Sequence, residues 1–149
     1  VDHPTHPLHD HEIDWIPLRE GLSFKPLHFG HDGYSLQLRL EPGTVITRHR
    51  HTGEVHAFNL AGERELIEEG VVIGPGAFVH EPAGNVDSWR AVGDTPCIVQ
   101  ISLKGRVEYL DEEGRVVDYS DTGTARARYL AWCAEQGHEP DPRLAVAAR

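Results

Sequence analysis

The strongest constraint on the fold is the rhythm of the chain. Between residues 13 and 119, short stretches rich in β-branched and aromatic residues follow one another, and Gly, Pro, Asn or Asp falls in nearly every gap. They run over 13–16, 22–29, 34–40, 44–51, 54–61, 63–67, 70–73, 77–81, 87–92, 96–103, 106–110 and 114–119. Period-two alternation bounded by turn formers reads as strands, and many short strands at this spacing close into a sandwich or barrel. In the third stretch Tyr34, Leu36, Leu38 and Leu40 face one way, while Ser35, Gln37 and Arg39 face the other. The flanks differ. Residues 1–12 (VDHPTHPLHDHE) lack apolar periodicity and read as a flexible arm, so that His3, His6, His9 and His11 form a solvated tail. The segment 120–137 holds a helix over 124–135, capped by Asp121 or Thr122 and stopped by Gly137, with Ala125, Tyr129, Trp132 and Cys133 as its apolar stripe. Residues 138–149 read as a mobile tail.

One stretch carries chemistry as well. His49 and His51 stand two apart on a strand, so their side chains leave the same face. Neutral imidazole is a preferred ligand for first-row transition metals, and a same-face pair is half of a metal site. Downstream, Gly76-AFVHE-Pro82-Ala83-Gly84 leads through a turn to Asp87.

Together the two blocks resemble the paired motifs of the cupin superfamily, G-x5-H-x-H-x4-E-x6-G and G-x5-P-x-G-x2-H-x3-N. Gly43, His49 and His51 match the first, and Gly76, Pro82 and Gly84 the second. Gly62 falls one residue early, His56 stands at the glutamate position, Asp87 at the last histidine and Ala91 at the asparagine. The resemblance implies an all-β fold, a single RmlC-like jelly-roll barrel over residues 13–119 followed by the C-terminal helix. Within cupins, His49-Arg50-His51-Thr52-Gly53 and the Glu81-Pro82 pair look most like the small 2,4'-dihydroxyacetophenone and acetylacetone dioxygenases. That likeness implies a divalent metal, Fe(II) first with Zn, Ni, Mn or Cu as alternatives, held by His49, His51 and Asp87. His56 would be a fourth ligand if it shares the inward face. Glu69, or its neighbour Glu68, and Glu81 would be carboxylates beside the metal, with a ligating, basic or orienting role.

The implied activity is cleavage of a carbon–carbon bond in a hydroxyketone or diketone by dioxygen. A non-oxidative cyclase, isomerase or hydrolase is the alternative, and a non-catalytic small-molecule-binding cupin a third. Leu36, Leu38, Phe58, Phe78, Trp89 and Ile101 would supply apolar walls for the substrate.

Charge bounds the partners. A net charge of −10 and a pI near 5.5 work against nucleic acid and anionic membrane, leaving small molecules or proteins. Cys97 and Cys133 are too few and too far apart for a disulfide framework, which favours reduced thiols and a cytoplasmic setting. Edge strands and the N-terminal arm invite a homodimer.

Overall fold

Each short alternating stretch becomes a strand. The computed structural model describes Thr5 and residues 7–144, so His3 and His6 lie outside the described residues. In chain order the strands are β1 (Ile16–Arg19), β2 (Leu22–Phe29), β3 (Gly33–Leu40), β4 (Val45–His51), β5 (Val55–Ala61), β6 (Glu63–Leu66), β7 (Val71–Ile73), β8 (Phe78–Glu81), β9 (Val86–Val92), β10 (Cys97–Lys104), β11 (Val107–Leu110) and β12 (Val116–Ser120). Only β1 is displaced from its expected place at 13–16. Residues 10–12 are taken into a 3-10 turn and Ile13 is buried as a plug, so pairing begins at Ile16 opposite Phe24.

Two six-stranded antiparallel sheets result, β1-β2-β3-β10-β5-β8 and β12-β11-β4-β9-β6-β7. They form a jelly-roll sandwich whose inner faces carry the core: Phe24, Leu36, Val55 and Val107 towards one end, Leu40, Ala57, Trp89 and Val99 towards the other. The Tyr34–Leu40 alternation faces inward as expected. Phe58 and Phe78 do not: both sit on the outer surface, 42% and 61% exposed, because Ala57 and Val79 hold the inward parity of their strands. Cys97 and Cys133 are buried free thiols.

The chain changes sheets at Gly62, between β5 and β6. Its φ of +67° is left-handed, and a Cβ there would collide with the Pro96 carbonyl oxygen. Gly62→Ala is expected to cost about 2–3 kcal/mol from conformational strain plus a backbone clash. A urea midpoint equal to wild type at unchanged m-value would contradict this.

As far as they are described, both flanks make specific contacts with the barrel. Lys25 Nζ donates to the Asp10 carbonyl (2.9 Å) and carboxylate (2.7 Å), and Leu8 packs on the core. At the other end Leu144 is fully buried, while Arg143 donates to Asp141, Glu12 and the Pro7 carbonyl, joining one flank to the other. Periodicity could not reveal this, because single apolar plugs and charge pairs anchor these segments. Between them α1 (Thr122–Gln136) is capped by Asp121, whose carboxylate accepts from Thr124 N–H, and ends at Gly137 with φ +70°. Tyr129 and Cys133 are buried against the barrel, with Ala125 and Trp132 beside them. No helix of the described residues is long and apolar enough to cross a membrane.

Candidate metal centre

The register between β4 and β9 slips between Ile46 and His49. This bulge lets Ile46, His49 and His51 all point inward while Thr47 and Arg48 face out, the re-aiming that bulges perform next to functional sites. The same kink brings the Thr47 carbonyl within 2.7 Å of His49 Nδ1. A carbonyl can only accept, so Nδ1 carries the proton and Nε2 keeps its lone pair for a ligand. The two imidazoles stand perpendicular with centroids 4.8 Å apart. The second glycine block locks onto them directly, since Gly84 N–H donates to the His51 carbonyl (2.6 Å) and His51 N–H to the Asn85 carbonyl (3.0 Å).

Both rings look into a cavity of about 360 Å³ between the sheets, walled by Leu36, Leu38, Trp89 and Ile101. Glu81, at the inward end of β8, also lines it, with Oε2 3.8 Å from His51 Nε2 and Oε1 accepting from Asn85 Nδ2 at 2.7 Å. Asp87 is the cross-strand partner of His49 and is buried. Arg64 completes the polar floor. Its Nε donates to Asn59 Oδ1 (2.9 Å) and its guanidinium lies 4.6 Å over the Trp89 ring. These contacts are neutral, while the charges of Asp87 and Glu81 act on the guanidinium from nearby.

Burial sets the protonation states. It pushes His51 down to about 4, helped by neighbouring His49, and lowers His49 as well against the opposing pull of the Thr47 carbonyl. Both rings are therefore neutral at physiological pH, the form that ligates metals. Burial, followed by the charges of Glu81, Glu69 and Glu68, pushes Asp87 up to about 7, with Arg64 pulling the other way.

The structure brings some of the expected residues together and leaves others apart. His49, His51 and Glu81 converge on the cavity. His56 does not join them: it alternates with inward Val55 and Ala57 and lies on the outer face of β5. Glu69 is exposed and away from the cavity wall, whereas Glu68 reaches Ser88, accepting from its N–H and Oγ at 2.6 Å each. Asp87 turns towards these two glutamates, and the donor atoms of all three lie within 4.8 Å of one another. Among the described residues, neither His49, His51 and Asp87 nor His49, His51 and Glu81 form a group that tight. Arg64, Asn59 and Tyr109, whose ring is 5.9 Å from that of His49, were missed. The available signal was parity: Arg64 shares the inward side of its strand with Leu66.

The residues present fit a divalent cation. Among the described residues, His51 Nδ1 and Asp87 Oδ1 are buried without hydrogen-bond partners, and the buried Glu81 carboxylate faces His51. Such a cluster is short of positive charge, which a dication between imidazole and carboxylate would supply.

Solved structures share this architecture. An RmlC-like cupin from Ralstonia eutropha JMP134 superposes with a TM-score of 0.87 at 22% identity, over 94% of this chain and 94% of that one. A second protein with a cupin-like fold from the same organism gives 0.88 at 20%, over 100% and 98%. An acetylacetone dioxygenase from Acinetobacter johnsonii gives 0.73 at 16%, over 88% and 93%. At such identities the likeness is one of fold. Among curated proteins none matches the sequence. The model of the ChrR cupin-like domain, however, matches residues 5–116, both histidine and glycine blocks included, and the chain belongs to that family.

Proposed function

We propose that the chain is a metal-dependent cupin enzyme, a non-haem iron(II) dioxygenase acting on a small diketone or hydroxyketone. The observation that carries this reading is the pair of neutral, inward imidazoles facing Glu81 in an apolar-walled cavity. His49, His51 and Glu81 would hold the ion, making a two-histidine, one-carboxylate set of the kind non-haem oxygenases use. When bound, iron(II) supplies Lewis-acid polarisation of a chelated carbonyl and electrons for dioxygen.

The remaining work falls to this chain's own side chains. Arg64 offers its guanidinium to the oxygen of an enolate, where burial strengthens the interaction. Trp89 and Ile101 keep water from that oxygen, and Asn85 holds Glu81 in place. Asp87, with a carboxyl that changes state near neutrality, lies outside the cavity lining and would bear on the site through its cross-strand partner His49. This last feature also suits a redox-silent isomerase or cyclase, which needs the same enolate and no dioxygen.

Oxygen uptake separates the two. Protein loaded anaerobically with iron(II) and given acetylacetone or a 2-hydroxyketone should consume dioxygen in step with substrate. Arg64→Met should lower kcat/KM by about 10²–10³-fold, as loss of a preorganised oxyanion donor does. Uptake no faster than buffer across such substrates overturns the dioxygenase, and anaerobic turnover by the zinc form establishes the redox-silent enzyme.

A further inference from the structure

His56, excluded from the inner centre, is not alone on the outside. Its register partner across β5 and β8 is His80, so both imidazoles leave the same outer face, with centroids 5.2 Å apart. Glu54 closes the triangle from the turn before β5: Oε2 is 3.3 Å from His80 Nε2 and Oε1 3.7 Å from His56 Nε2. One donor atom from each of the three lies within 4.8 Å of the others. Phe78 stacks on His56 with centroids 6.0 Å apart and planes inclined by 23°, which limits the rotamers the ring must give up on binding. Beside the triangle runs an open groove of about 460 Å³, lined by Glu54, His56 and Ser102.

We propose that Glu54, His56 and His80 form a second metal site, on the outer face of the β5–β8 sheet edge, for a zinc-class divalent ion. Two of three donors are imidazoles, which select zinc, copper, nickel or cobalt over magnesium and calcium. Metal–donor bonds of 2.0–2.1 Å at tetrahedral angles separate donors by about 3.3 Å. His80 Nε2 already stands at that distance from Glu54 Oε2, while His56 Nε2 is 3.7 Å from the other oxygen, Oε1, so the carboxylate would chelate through both oxygens or turn one of them towards both rings. The open groove leaves the remaining coordination position to water or an exogenous ligand. The proposal is independent of the inner centre, because the two sets share no residue and lie on opposite faces of β5 and β8.

The test uses the His49→Ala/His51→Ala chain, in which the inner site is disabled, titrated with zinc(II) and with cobalt(II). One equivalent should bind, and the cobalt form should show d–d absorption of a low-coordinate site. Adding His80→Ala or His56→Ala should weaken that equivalent at least about 10-fold, the lower end for disturbing a metal's ligand sphere. Glu54→Gln should weaken it too, whereas His9→Gln with His11→Gln should leave it unchanged. His56, His80 and Glu54 lie outside the core, so their substitution should leave the cooperative melt of the His49→Ala/His51→Ala parent unchanged, which is measured alongside each titration. Zinc stoichiometry and affinity indifferent to His56→Ala and His80→Ala, or binding lost with His9 and His11 instead, would overturn the site.

Discussion

His51→Ala, made in a His56→Ala background so that only the inner centre is read, is expected to lose at least about 100-fold in zinc(II) or iron(II) affinity. Disturbing the residues that merely orient a ligand costs 10–100-fold, so deleting a ligand costs the upper end of that range or more. The expectation rests on three features of this side chain. It is buried at 6% exposure, its ring is driven neutral, and its Nε2 faces the Glu81 carboxylate. The backbone of His51 stays bonded to Gly84 and Asn85, so the barrel should keep its far-UV spectrum and cooperative melt. Glu81→Gln should release metal as well, since an amide replaces the charge. Near-stoichiometric, undiminished binding in the His51 variant would show that the ion is held elsewhere.

How much of this was legible in the sequence depends on how local the cause is. Strands are written in alternation and turn residues, and His49 and His51 share a face because of a period of two, so both were readable. The reading of His56 failed on the same rule: it counts as an even position after Glu54, and Val55 and Ala57 took the inward parity. Asp87 and Glu81 show where a motif stops being informative. Asp87 stands where the resembled motif has a histidine, yet the acid that reaches within 3.8 Å of His51 Nε2 is Glu81, from another strand. Which of two acids faces an ion depends on side-chain packing across three strands. Arg64 was hidden for a related reason, because its neutral partners, Asn59 and Trp89, come from two other strands.

Metal-free protein should reveal Asp87 through pH. A carboxyl whose folded value is raised from 3.8 to about 7 contributes stability that is fully present below 3.8 and lost as pH rises through 7. Between pH 5 and pH 8 the loss amounts to roughly 2–3 kcal/mol at 1.36 kcal/mol per pH unit. His51 acts in the opposite sense. Its folded value is lowered from 6.5 to about 4, so its contribution is present above 6.5 and lost as pH falls through 4. The two partly cancel in the wild type, which makes Asp87→Asn the informative comparison. In chelator-treated protein, the variant should gain roughly 2–3 kcal/mol on the wild type between pH 5 and pH 8, read from urea midpoints. Adding zinc(II) should shrink that gain, because a cation at His49, His51 and Glu81 offsets the negative charge that raises Asp87 and draws its carboxyl back towards the ionised form. Parallel pH curves for the two metal-free proteins would mean that the Asp87 carboxyl ionises in the barrel as freely as in water.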